Sequence, residues 1–368
     1  MKAKFNRASL QEALALVTSV IPSRTPKAIL QCLRMTAKGD AVTLSATDLE
    51  VGIQYSVGQV EVATAGETVL PADKILAIVR EGIDEVVEIE ATEASVQVRG
   101  ADSHFTIFGH DIDQFPPVPG FDGKADFEIK LDKLQEGIEQ TVFAAAKEST
   151  RYALNGILWE VSGKKLTMVA TDGRRLARSV VALETAVKGE LPAGRIIVPA
   201  KTMTLLDRIP SVSEGTTVSV RFAANQIILS CGTAVISSNL VEGNFPKYDD
   251  IIPKDHDKKA VISTGGLLSA VRRAALMVNE ETRGVRFSLA NGSLTISSRA
   301  PEAGDAQVEM AIEYSGPAIE IGFNPGFIVD ALKVIEPETF ELHLGEPDRP
   351  GMIKSGSHFL YIVMPVNP

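Results

Sequence analysis

The sequence predicts an α+β protein in which one unit is built three times, each copy carrying two helices packed on antiparallel strands. Three recurring patterns carry that prediction. Helix starts appear at Ser9-Leu10-Gln11-Glu12, Asp132-Lys133-Leu134-Gln135 and Thr264-Gly265-Gly266-Leu267-Leu268. Alternating runs follow at 42–48, 166–172 and 294–298. A second helix start then comes at Pro71-Ala72-Asp73-Lys74, Pro199-Ala200-Lys201 and Asn324-Pro325-Gly326-Phe327. Pro71, Pro199 and Pro325 lie 128 and 126 residues apart. That period is far longer than those of solenoids and propellers, so it marks a triplicated domain.

Each element has a local cause. Ser9 with Glu12 reads as a capping box, and Asp132 with Gln135 as a looser one. Leu10, Leu14 and Val17 recur at helical spacing, as do Leu134, Ile138 and Val142. The second helices open on proline, whose missing N–H costs nothing in a first turn. Their expected apolar faces are Leu76, Ile78 and Val79, then Leu205, Leu206 and Ile209, then Ile328, Leu332 and Ile335. Period-2 runs such as 96–98, 105–107, 227–229 and 359–363 read as strands, roughly eight per copy. Pro/Gly-rich, charged stretches at 115–124 and 244–259 divide the chain into domains 1–122, 123–253 and 254–368. Phe115-Pro116 and Phe245-Pro246 close the first two.

Composition narrows the function. The hydrophobic share of 45% is ordinary for a globular chain, and each third is large enough to bury a core. No eighteen-residue apolar run or signal pattern is present, so the expectation is a cytoplasmic protein with no membrane role. Cys32 and Cys231, the two cysteines, suit a reducing compartment and make no zinc spacing. The five histidines form no i,i+4 ligand pair, and no phosphate loop or nucleophile elbow is seen. No cofactor or metal is expected, and no catalysis. Asp48 and Asp172 end equivalent strands, which favours a structural turn over paired catalytic acids. The net charge of −10 excludes a tight, wrap-around basic DNA binder.

Several motifs resemble the bacterial DNA polymerase III beta subunit family, the sliding clamps. They are 169–177 (VATDGRRLA), Arg151-Tyr152 with Leu154-Asn155-Gly156, 240–246 (LVEGNFP), Asn279-Glu280 with 283–286, Tyr314-Ser315-Gly316 and Val363-Met364-Pro365. They fall in order along nearly the whole chain and coincide with the repeat. The resemblance implies the DNA clamp fold: three domains per chain, with two chains forming a ring around duplex DNA. Helices would line the hole and sheets the outside. Such a homodimer is held by topology, so a few salt-sensitive phosphate contacts suffice, which reconciles the acidic total with a DNA partner.

The resemblance also implies three surfaces. A peptide pocket would receive short linear motifs of the polymerase alpha subunit, the clamp loader, and repair and translesion polymerases. Its walls would be Leu154, Thr171, Gly173, Arg174, Arg175 and Leu176, with Pro246, Ile251, Met364, Pro365 and Val366, and one or two cations would fix a polar end of the peptide. DNA would meet Arg24, Lys147, Arg151, Tyr152, Lys201, Arg272 and Arg273. The ring seam would bring Phe105 and Ile107 against Leu276 and Met277, with Lys74 near Glu302. Asp73 and Asp250 stand where relatives carry cations, and the tail Asn367-Pro368 differs too. A monomeric three-domain peptide-binding scaffold is the alternative, keeping the pocket and losing the seam.

Overall fold

The computed structural model describes the chain except residues 93–94, 148–151, 188–194, 212–214, 254–255, 279–283 and 368, and the side chain of Tyr152. Six helices are described: α1 (Arg7–Thr18), α2 (Ala72–Glu81), α3 (Leu131–Val142), α4 (Ala200–Asp207), α5 (Thr264–Ala274) and α6 (Pro325–Leu332). They give two per repeat, as the sequence predicts. Their caps sit earlier than expected. Asn6, not Ser9, caps α1, its side chain accepting from Ser9 N–H at 3.1 Å. Ser263 caps α5, accepting from Gly266 N–H at 3.3 Å. Asp132 lies inside the first turn of α3. Pro71 and Pro199 end strands just before α2 and α4, while Pro325 is the first residue of α6. At α1, α2 and α5 an extended strand runs directly into the helix, so the cap is the last strand residue, while at α6 the cap Asn324 follows a strand that ends at Phe323.

Two compact units divide the contacts. One comprises Met1–Lys133, Leu183–Gly194 and Lys201–Leu240. Its eight-stranded antiparallel sheet runs Phe127–Lys130, Thr217–Ala223, Gln226–Cys231, Ala234–Asn239, Val51–Val57, Ala41–Thr47, Cys32–Lys38, Gly66–Pro71. The sheet is two halves, joined where Ile236 faces Ile53. A second sheet of this unit runs Val60–Thr64, Lys2–Asn6, Val86–Ala91, Ser95–Arg99, His104–Phe108. Helix α1 buries Leu10, Ala13, Leu14, Leu16 and Val17, and α2 buries Ala72, Ile75 and Val79. Leu76 and Ile78 are only half-buried, which turns the face of α2 by about one residue from the expected one.

The other unit comprises Leu134–Ala182, Arg195–Ala200 and Val241–Pro368. Its eight-stranded sheet runs Arg195–Pro199, Gly156–Ser162, Lys165–Thr171, Arg175–Ala182, Phe359–Val363, Gly351–Ser355, Thr339–Leu344, Lys258–Ser263. Its halves join where Ala177 faces Tyr361. A four-stranded sheet runs Gly304–Ala311, Ser293–Ala300, Val285–Ala290, Ile319–Phe323. Trp159, Tyr361, Phe287, Phe323 and Phe359 are its largest buried side chains. Helix α3 lies close on its strands at Gly137, where a Cβ would collide with the Met168 side chain. Both cysteines are free and buried, and burial pushes each thiol up to about 11.

Candidate functional site

The same turn is built twice. Thr47 Oγ1 donates to Val51 O at 2.9 Å and accepts from Leu49 N–H, while Asp48 Oδ1 accepts from the N–H of Glu50 and Val51. Thr171 Oγ1 donates to Arg175 O at 2.6 Å and accepts from Gly173 N–H, and Asp172 Oδ1 accepts from the N–H of Arg174 and Arg175. The third residue is left-handed in both, Leu49 at φ 80° and Gly173 at φ 87°. Glycine makes the second copy free of the strain that leucine carries in the first. Both aspartates are turn residues, as the repeat position suggests.

Each turn also holds a cation. Lys201, at the start of α4, donates to Val20 O at 2.9 Å and pairs with Asp48. Arg175 is 9% exposed and donates from Nε to Asp172 at 3.0 Å, from Nη1 to Asp330 at 2.8 Å and from Nη2 to Phe143 O at 2.7 Å. Its guanidinium stacks over the Phe327 ring at 4.4 Å. Burial works against that charge, but Asp330 and Asp172 outweigh it and hold the Arg175 pKa above its ordinary value. Arg175 is therefore a fixed part of the wall. Among the expected pocket cations, Arg174 is the exposed one.

The apolar pocket residues divide into floor and surface. Leu176 is buried in a cluster with Leu158, Val169, Ile197, Tyr248, Met352, Leu360 and Ile362, against which Ala153, Val241, Phe245 and Ile252 pack. Leu154 and Thr171 are buried as well. Ile251, Pro246 and Met364 are exposed, and Pro365 and Val366 half-buried. Tyr248 donates to Glu160, and its pKa is raised by burial and by that carboxylate. Met364 N–H donates to Arg174 O at 2.9 Å, which fixes the exposed methionine beside the turn. Phe143, Asp330 and Met352 escaped the sequence reading, and Phe327 entered it as part of a helix start and not as a site residue. The i,i+3 spacing of Phe327 and Asp330 on α6 was the one available signal.

The expected DNA residues are placed unevenly. Arg24 follows α1, Lys147 follows α3, and Arg272 and Arg273 form the last turn of α5, all exposed. Each follows or closes the first helix of its repeat, and Arg272 and Arg273 lie within the last turn, where the helix dipole favours cations. Lys201 differs, because its ammonium is committed to Asp48. Arg151 and the side chain of Tyr152 lie outside the described residues.

At the expected seam, Phe105 is exposed but Ile107 is only 7% exposed and belongs to the core, since alternation along His104–Phe108 turns it inward. Phe108, unmentioned by the sequence reading, is 80% exposed. Leu276 is 79% exposed, Met277 half-buried, and Glu302 and Lys74 exposed, the last beside Asp73 at 3.2 Å. A cavity of about 450 Å³ next to Phe105 is lined by Ala77, Ile78, Ile83, Val87 and Val98 among others. His104–Phe108 and Gly304–Ala311 each end a sheet. The second strand reads Asp-Ala-Gln-Val-Glu-Met within, too polar to stand out as an interface from sequence. Among the described residues no group of ligands suited to a metal ion is found.

Three family descriptions match consecutive stretches of the chain: DNA polymerase III beta subunit N-terminal domain over 1–119, central domain over 128–247 and C-terminal domain over 249–367. A beta sliding clamp of Pseudomonas aeruginosa is 33% identical over 363 residues, covering 98% of each chain. One of Chlamydia muridarum is 27% identical over 369 residues, covering 100% of this chain and 99% of its own. Among solved structures, a sliding clamp of Pseudomonas aeruginosa bound to griselimycin aligns with a TM-score of 0.92 at 32% identity, covering both chains fully. The Bacillus subtilis sliding clamp aligns at 0.92 and 27%, covering 100% of this chain and 99% of that one.

Proposed function

This chain belongs to the DNA polymerase III beta subunit family, the sliding clamps, and from that footing we propose that two copies close head to tail into a ring around duplex DNA. Like the family, it is a three-domain, non-catalytic processivity subunit of the replicative polymerase. We take the domains as 1–122, 123–253 and 254–368, working in the cytoplasm.

One observation carries the ring. Both eight-stranded sheets are made of two four-stranded halves drawn from neighbouring repeats. The sheets left over supply the matching halves: Lys2–Asn6, Val86–Ala91, Ser95–Arg99, His104–Phe108 in one, with Val60–Thr64 added at its far edge, and Gly304–Ala311, Ser293–Ala300, Val285–Ala290, Ile319–Phe323 in the other. Set edge to edge, the strands His104–Phe108 and Gly304–Ala311 of two copies make a third sheet of the same plan. Unpaired edges of this kind invite such closure. Leu276 of one copy would fill the cavity beside Phe105 of the other, with Phe108 and Met277 at its margin and Glu302 facing Lys74.

Inside the ring, Arg24, Lys147, Arg151, Tyr152, Arg272 and Arg273 touch phosphates without reading bases, so the clamp slides. On the outside, Ile251, Pro246, Met364, Pro365 and Val366, above a floor of Leu154, Thr171 and Leu176, take the apolar anchors of polymerase, clamp-loader and repair-protein segments. Gly173, Arg174 and Arg175 form the polar side. Exposed methionine suits a surface shared by several ligands. Retention tests the reading: loaded onto nicked circular DNA the protein stays bound, and linearising the circle releases it. Equal retention on both forms contradicts topological holding.

A further inference from the structure

Two cavities of opposite charge meet at the hydrogen bond from Met364 N–H to Arg174 O. On the Arg174 side, a cavity of about 450 Å³ is lined by Lys147, Gly173, Arg174 and Phe327. Arg175, which also lines it, is already matched by Asp172 and Asp330. That leaves Lys147 and Arg174, both exposed and without an ion-pair partner among the described residues. On the Met364 side, a cavity of about 950 Å³ has apolar walls of Ile251, Pro253, Pro350 and Met364, and a rim carrying Asp250, Glu346 and Asp348. Asp257 on that rim is held by Lys258 at 2.8 Å, and among the described lining residues Arg349 is one cation against Asp250, Glu346 and Asp348, none of which forms an ion pair with a described residue. His256 adds no positive charge at neutral pH, since burial lowers its pKa.

We propose that these cavities give the peptide site a polarity: it takes a segment bearing a carboxylate on one side of its apolar anchors and Lys or Arg on the other. This rests on the peptide-site reading above and adds the orientation of the ligand. Apolar anchors seated on Ile251 and Met364 would bring one flank to the carboxylate rim and the other to Arg174 and Lys147. A segment laid the other way would set like charges together at both ends, and such pairs govern choice among partners more than gross affinity.

The test uses fluorescein-labelled peptides with an apolar core of two Leu and one Phe, matched to the walls at Ile251 and Met364, flanked by two Glu on one side and two Lys on the other, in both orders, with a Ser-flanked control. The two charged peptides have the same composition and net charge, so the overall −10 of the protein acts on them alike. One order is expected to bind roughly fivefold tighter or more, as two weak surface pairs imply. The gap should close in an Asp250→Asn, Glu346→Gln, Asp348→Asn variant and persist in a matched Asp40→Asn, Glu50→Gln, Glu61→Gln variant, whose sites do not line this cavity. Equal binding of both orders, with the control still bound, overturns the polarity and leaves the peptide site standing. A gap untouched by the rim variant also overturns it. Binding of none of the three overturns the peptide site itself.

Discussion

Arg175 donates from Nη1 to Asp330 Oδ2 at 2.8 Å, spanning 155 residues of sequence. The bond ties the strand Arg175–Ala182 to α6. Removing one partner of a buried pair leaves the other charge unmatched, so Arg175→Ala is expected to lower unfolding free energy by roughly 3 kcal/mol. The low end of that range applies because Asp330 keeps partial access to water. Urea denaturation followed by tryptophan fluorescence measures it, since Trp159 is the single tryptophan and lies buried in the same unit. A loss below about 1 kcal/mol would mean the guanidinium is an ordinary surface ion.

Floor and surface of the pocket should separate under mutation. Leu176→Ala is expected to cost about 2–5 kcal/mol of stability, as large-to-small changes in a packed core do. Met364→Ser should change stability by less than about 0.5 kcal/mol and weaken an apolar-anchored peptide by about tenfold. Fluorescence anisotropy with the Ser-flanked peptide reads the second effect, and unchanged affinity would remove Met364 from the site.

The cations should separate as well. Replacing Arg272 and Arg273 with Ser is expected to reduce the slope of log K against log salt for duplex DNA by about two for each chain. Lys201→Ala should leave that slope in place, because its ammonium is spent on Asp48 and Val20. A reduced slope in the Lys201 variant would return it to the DNA surface.

At the seam, exposure decides. Leu276→Asp is expected to give single-chain mass at micromolar concentration, with a thermal midpoint that no longer rises with protein concentration. Ile107→Ala should lower the midpoint, since that side chain is core.

His256 gives the pH dependence. Its folded pKa lies below the ordinary 6.5, chiefly through burial, so the unfolded chain binds the proton more readily. Stability contributed by this residue is whole above pH 6.5 and falls as pH drops below it, toward the lowered folded value. Unfolding midpoints between pH 7.5 and 5.5 should decline, and His256→Gln should flatten part of that decline. An identical slope in the variant would place the pH dependence elsewhere.

Much of the fold was legible because helical and period-2 spacings are local. The six helices, the Asp48 and Asp172 turns and the strands at 96–98, 227–229 and 359–363 all follow from neighbours within a few residues. What was not legible depends on partners far apart in sequence. The pairing of Ile236 with Ile53 spans 183 residues, and no local pattern encodes it. The caps at Asn6 and Ser263 were missed because strand and helix share a residue there. Lys201 and Arg175 looked like free cations because sequence shows a charge but not the carboxylate that meets it. Gly304–Ala311 carries no apolar run that marks it as a strand, because an edge strand need bury only alternate residues on one face.

The proposed ring requires two half-sheets to find their complement in a second copy. Light scattering on the purified protein at micromolar concentration measures this directly. A mass twice that of one chain is the expected result, and a mass of one chain across that range would contradict it.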